Sequence, residues 1–208
     1  MRLELLLKLF LWACWTLAYV LIIRRARLDK VPGMPFAATC LNVAWEGTML
    51  FEHPFGGLGW ITVFIWFALD LVILGQYFVY ARPATATTLA DQMFWPATLA
   101  LMAACMGTPV VINRAFHDPS GLIAAYFQNA LMSILFCGMM LRRDSMRGQS
   151  LYVALAKLAG TSVAILYGEP SGPFLLWCYI LVISFDLAYV GLMVKVARRD
   201  GIDLLRRI

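Results

Sequence analysis

Residues 58–80 read LGWITVFIWFALDLVILGQYFVY, twenty-three positions with one charge, Asp70. As an α-helix rising 1.5 Å per residue this stretch is about 35 Å long, enough to cross the roughly 30 Å hydrocarbon core of a bilayer. Lipid offers no partner for backbone N–H and C=O groups, so a lone segment of this kind must be helical. The same kind of segment recurs on both sides of it. The predicted spans are Leu5–Ile23, Gly33–Phe51, Leu58–Tyr80, Met93–Ile112, Gly121–Leu141, Leu151–Tyr167 and Phe174–Val196. The second is the most polar of the seven.

Composition agrees. The chain is 62% hydrophobic and 14% charged over 208 residues, with a mean hydropathy of +0.77. These values lie outside the range of a soluble domain. The expected fold class is therefore all-α integral membrane, a bundle of seven transmembrane helices forming a single domain over residues 1–208. Every link between spans is short, so no soluble domain is inserted, and any chemistry belongs within the membrane or at its faces.

Charge orients the bundle. With the N-terminus outside and the C-terminus cytoplasmic, the inner face holds Arg24, Arg25, Arg27, Lys30, Arg82, Arg142, Arg143, Arg147, Lys195, Arg198, Arg199, Arg206 and Arg207. Only Arg2 and Arg114 fall outside, as the positive-inside rule requires. The net charge of +5 is then explained by anionic headgroups of the inner leaflet, with no nucleic-acid partner. The first span is retained rather than cleaved, since the Arg cluster follows it directly and no small-residue cleavage site ends its apolar core. The five Cys residues lie within spans, unpaired, and read as small buried hydrophobes.

Polar residues at depth carry the functional signal, because an ionisable group in hydrocarbon costs several kcal/mol. Asn42 and Glu46 lie four apart on the second helix and share a face, with Trp45 beside them. Asp70 lies mid-span in the third helix, flanked by Trp66 and Phe67. In the seventh, Tyr179 and Asp186 are seven apart and again share a face. Three acids are thus expected around one cavity. Lys157 in the sixth helix is an available ion-pair partner for Asp70 or Asp186. Gln76, Gln128, Asn129 and Ser133 read as interhelical hydrogen-bonding residues. Trp60, Trp95 and Trp177 read as parts of the interfacial aromatic belt. His53 and His117, beside Glu52 and Asp118, match no metal-ligand spacing.

The seven-helix layout, the run Asn42-Val43-Ala44-Trp45-Glu46, Asp70, the segment Arg142-Arg143-Asp144-Ser145-Met146-Arg147-Gly148-Gln149-Ser150, and Tyr179 with Asp186 together resemble the small membrane-bound terpene cyclases. That family is best known from fungal meroterpenoid and indole-diterpene pathways and has bacterial members acting on farnesylated indoles. The resemblance covers nearly the whole chain. It implies that Glu46 and Asp186 are the two essential acids, with Asp70, Asn42 and Trp45 in support. It also implies a prenylated small-molecule substrate, its chain or terminal epoxide protonated to start a carbocation cascade.

The residues suit such chemistry. A cascade of this kind needs a carboxylic acid in its protonated form, which burial among apolar groups favours. It also needs a dry pocket with aromatic faces for the cations, for which Trp45, Trp66, Tyr126, Tyr179, Phe185 and Tyr189 are candidates. No metal or other cofactor is expected. The Asp-rich diphosphate motif and the Asp-x-Asp-Asp motif of soluble cyclases are both missing, and no two Asp residues are adjacent. The competing reading is a small proton-coupled transporter or membrane sensor, with the same acids as a proton relay. Against it, the chain shows no internal repeat and no Pro-Gln dipeptide.

Overall fold

The computed structural model describes residues 2–51, 56–81, 88–167 and 172–208, and its architecture is all helical. The helices are α1 (Arg2–Asp29), α2 (Phe36–Phe51), α3 (Gly57–Tyr80), α4 (Leu89–Gln92), α5 (Phe94–Ala115), α6 (Leu122–Arg143), α7 (Leu151–Tyr167) and α8 (Pro173–Asp200), with a 3-10 turn at Leu204–Arg206. Apart from the single turn of α4, each of the seven expected spans has its helix. The one-turn α4 is fixed by a capping box in which Thr88 and Asp91 each accept the other's backbone N–H.

Among the described residues, five helices are long and apolar enough to cross a membrane: Leu3–Asp29, Gly57–Tyr80, Phe94–Ala115, Leu122–Arg143 and Pro173–Asp200. The other two fall short of the expected seven. α2 has 16 residues and α7 has 17, about 24 and 26 Å of helix. These two also carry the buried ionisable residues Glu46 and Lys157. For α2 the length and polarity make sense in a helix surrounded by protein, since nearly all of it from Ala38 to Leu50 is buried, whereas α7 packs on α1 and α8 and leaves Leu155 and Leu166 exposed. At the other extreme, α1 and α8 run well past the expected Ile23 and Val196, because their Arg-rich ends continue the helix beyond the apolar stretch.

Each helix packs on a small set of neighbours. α1 lies against α3 and α7, α7 against α8, α8 against α6, α6 against α5, and α5 against α2, which returns to α3. The ring closes, and α2 also meets α6. Buried residues on α8 show the expected helical stripe: Leu175, Cys178, Tyr179, Val182, Asp186, Tyr189, Met193 and Val196. That stripe covers α6 and α7. Close approach of α1 to α7 depends on Gly160, where a Cβ would stand 3.0 Å from the Trp15 ring and 3.1 Å from Cys14 Cβ. The outer surface is apolar, with Leu17, Phe64, Ile65, Leu99 and Leu187 exposed. Trp60, Trp95 and Trp177 are exposed as well, as expected of belt residues.

The basic end of the bundle is tied together by polar contacts. Asp29 at the end of α1 accepts from Arg25 (2.9 Å), from the Gly148 backbone N–H (2.6 Å) and from Arg207 (2.6 Å). Arg207 also donates to the Gln149 carbonyl at 3.0 Å, while the Ser150 hydroxyl donates to the Arg207 carbonyl at 2.7 Å. The C-terminal segment is thereby strapped across the α6–α7 connection.

Candidate active site

A cavity of about 740 Å3 lies inside the ring, walled by α1, α2, α3, α6 and α7. Its mouth is at the end of the bundle opposite the Arg207 strap, near Gly56 and Ser120. One side of that mouth is set by Gly121, whose φ of +67° is a left-handed conformation that a side chain would strain. A Cβ there would also come within 2.6 Å of Met49 Sδ. The Gly121 carbonyl accepts from the Trp45 indole N–H at 2.8 Å, which holds Trp45 against the opening.

Deeper in, α2 presents Asn42 and Glu46 to the cavity, as their four-residue spacing predicts. The Asn42 amide donates to the Tyr19 hydroxyl at 2.9 Å, and that hydroxyl donates to Glu46 Oε1 at 3.1 Å. Glu46 is 1% exposed and its Oε2 meets no hydrogen-bond partner among the described residues. Asp70 of α3 lies behind this group, against Asn42, Glu46 and Tyr19, with no exposed surface. Neither Asp70 oxygen has a partner in hydrogen-bonding geometry among the described residues. Two carboxyl groups therefore sit side by side in an apolar interior.

Asp186 is placed elsewhere. Its two oxygens accept from Lys157 Nζ at 2.7 and 2.9 Å, both side chains are 3% exposed, and Lys157 also donates to the Ser133 hydroxyl at 2.7 Å. The three acids expected around one cavity thus divide into two pairs, Glu46 with Asp70 and Asp186 with Lys157, and of the three only Glu46 lines the cavity. The reason is topological: α8 sits in the ring between α6 and α7, its buried stripe packs against those two helices, and none of its residues lines the cavity. Tyr179, Phe185 and Tyr189 share that fate. Tyr179 packs edge-on against Tyr126 at 4.4 Å between centroids, Phe185 packs beside the main core, and Tyr189 donates to Gln149 Oε1 near the strap.

Of the remaining candidates, Trp45, Trp66 and Tyr126 line the cavity. Trp66 is oriented by its N–H donating to the Thr16 hydroxyl at 3.0 Å and stands edge-on to Tyr19 at 6.3 Å. Several wall residues had no signal in the sequence. Tyr19, Trp12 and Trp15 are aromatic positions in an apolar first helix, where membrane-belt packing is the ordinary expectation. Lys157 Nζ lies 5.8 Å from the Trp15 ring centroid, a cation–π distance that links the ion pair to the cavity wall. His117 lies in the α5–α6 connection, whereas His53 and Glu52 lie outside the described residues.

The family described as Pyr4-like transmembrane terpene cyclases matches residues 2–199. This chain belongs to that family. It is similar to terpene cyclase trt1 of Aspergillus terreus, 33% identical over 82 residues that cover 39% of each chain. It is likewise 34% identical over 84 residues to the Pyr4-family terpene cyclase mfmH of Annulohypoxylon moriforme, covering 39% of this chain and 35% of that one. With these two the aligned part spans less than two fifths of the relative. A longer match, 21% identical over 201 residues, joins 89% of this chain to 83% of terpene cyclase pyr4 of Aspergillus fumigatus. No solved structure matches. Family membership and the five membrane-length helices make this an integral, multi-pass membrane protein.

Proposed function

We infer that the chain cyclises the prenyl chain, of farnesyl length, of a membrane-borne small molecule, and that Glu46 delivers the initiating proton. The observation that carries this reading is the position of Glu46: a fully buried carboxyl on the wall of an aromatic cavity, with a second carboxyl, Asp70, at its back. Like charges in contact in a low-dielectric interior do not both persist, so one of the two acids holds a proton. Glu46 is the member that reaches the cavity.

The reaction follows from that arrangement. The Glu46 proton passes to a terminal epoxide oxygen or alkene carbon, and the resulting cation is attacked in turn by neighbouring double bonds. The carboxylate left behind is held by the Tyr19 hydroxyl, itself anchored by Asn42. Faces of Trp12, Trp15, Trp45, Trp66 and Tyr126 border the space in which cations form, each worth up to about 2 kcal/mol when desolvated. Loss of a proton from the final cation closes the sequence and restores the acid. No cofactor takes part in this scheme. Asp186 contributes by position: it holds Lys157, and through Lys157 the floor near Ser133 and Trp15.

Membranes bearing the protein, incubated with a farnesylated aromatic and with its terminal epoxide, are expected to yield an isomer of unchanged mass and shifted chromatographic mobility. Glu46→Gln lowers that yield by at least about a hundredfold, the usual contribution of a general acid, while the purified variant keeps its helical circular dichroism. Full turnover in the variant refutes the assignment.

A further inference from the structure

The cavity has a second polar region, on the wall built by α6 and α7. Gln128 and Asn129 are each 8% exposed, Thr161 is 1% exposed, and all three line the cavity. The Asn129 amide donates to the Thr161 hydroxyl at 3.1 Å, which leaves Asn129 Oδ1 without a partner among the described residues. Gln128 Oε1 is likewise buried and unpartnered.

Among the other amides, Asn42 donates to Tyr19 and Gln149 accepts from Tyr189. Gln76 donates to the Ile23 carbonyl at 3.0 Å and also keeps an unpartnered Oε1 among the described residues, but it lies off the cavity wall. Asn113 also lacks partners among the described residues, but it lies near the end of α5 and off the cavity wall. A buried amide acceptor left unpaired carries an uncompensated desolvation cost. Two such acceptors on neighbouring residues, both on the wall of one cavity, are accounted for by a ligand that supplies the missing donors.

We propose that Gln128 and Asn129, supported by Thr161, bind the polar head of the substrate, and that this head carries an N–H or O–H donor. The assignment rests on the reading of the cavity as a prenyl-chain site. The two polar regions then divide the substrate between them. The Glu46 carboxyl on α2, backed by Asp70, meets the reactive end of the chain, amides on α6 meet the head, and the apolar and aromatic lining, including Leu11, Val63 and Met132, meets the hydrocarbon. Fixing the head sets how far along the wall the terminal double bond reaches, and so which end of the chain is presented to Glu46.

The probes are a farnesylated phenol and its O-methyl ether, titrated into the purified protein in lipid nanodiscs, with quenching of the cavity tryptophans as the readout. The phenol is expected to bind at least tenfold more tightly than the ether. In Gln128→Leu and Asn129→Leu that preference falls below threefold, chiefly by weakening of the phenol, and Gln128→Met repeats the result with the side-chain length kept. Equal binding of phenol and ether by the unaltered protein overturns the proposal. So does failure of both probes to bind, or a parallel loss of both affinities in all three variants. A tenfold preference with no isomeric product leaves the head site standing and removes the cyclase reading. Product formed equally from both probes, with no binding preference, does the reverse.

Discussion

Tyr19 joins the amide of Asn42 to the carboxyl of Glu46, and its removal tests whether that hydroxyl holds the carboxylate after proton transfer. Tyr19→Phe keeps the ring against Trp15 and Trp66 and deletes only the oxygen. Losing one hydrogen bond worth about 1–1.5 kcal/mol in this setting lowers the rate of cyclisation roughly tenfold, measured as product formed per unit of folded enzyme. Asp186 calls for a different test, because Asp186→Asn leaves Lys157 buried without its counter-charge, at a cost of about 3–5 kcal/mol. The single variant is expected to unfold at markedly lower temperature. Lys157→Met combined with Asp186→Leu replaces the pair with apolar side chains and restores most of that loss. If the double variant is stable and still turns over, Asp186 acts through its ion pair. If it is stable and inert, the carboxylate is needed in its own right. The residues differ in how far sequence revealed them. Asn42 and Glu46 were legible because a spacing of four fixes a shared face within one helix. Asp186 was legible as a buried acid, and Lys157 as an available partner. Which of the acids Lys157 would choose was not, since spacing along one helix says nothing about which neighbour its face meets. Tyr19 gave no signal at all: a phenol in an apolar helix reads the same whether its hydroxyl meets a carboxyl or a headgroup.

At the scale of elements, the site depends on how closely α1 is held to α7. Gly160 is the contact that permits it, with Trp15 and Cys14 of α1 where a side chain would stand. Trp15 lines the cavity and faces Lys157, so separation of these helices shifts one wall and loosens the ion pair. Gly160→Leu is therefore expected to lower the unfolding temperature and to reduce cyclisation more steeply than stability, whereas Gly138→Leu, where a Cβ meets no atom within 4 Å, changes neither. Thermal unfolding followed by circular dichroism, with product yield on the same preparations, separates the two outcomes. The elements themselves were largely legible. Apolar length located all seven, including α2, whose polar residues make its hydropathy the weakest signal. Its shortness was not legible: a helix enclosed by others need not match the bilayer, and enclosure is a property of the assembled ring. The packing of α8 against α6 and α7 was equally hidden, although it decides that Tyr179, Phe185 and Tyr189 stand off the cavity.

For the whole molecule, the two ends of the bundle differ in charge and in function. The Asp29–Arg207 strap and the Arg-rich helix ends lie at one end, and the cavity mouth near Gly56 and Ser120 lies at the other. If the basic end faces the cytoplasm, as the positive-inside rule predicts, the mouth opens toward the outer half of the bilayer, and substrate enters from that side. Seven crossings are required for this, with α2 and α7 spanning although their helices are only about 24 and 26 Å long. Such short helices are accommodated when neighbours shield them and the bilayer thins locally, at a cost of fractions of a kcal/mol per Å. Single cysteines placed at Ser120 and at Arg147, in a background with the native cysteines replaced, distinguish the sides. A membrane-impermeant maleimide applied to intact cells is expected to label the Ser120→Cys protein and to reach Arg147→Cys only after the membrane is opened. Labelling of both positions in intact cells would mean that α6 does not cross. The inverse pattern would turn the cavity mouth toward the cytoplasm, and with it the leaflet from which a prenylated substrate is drawn.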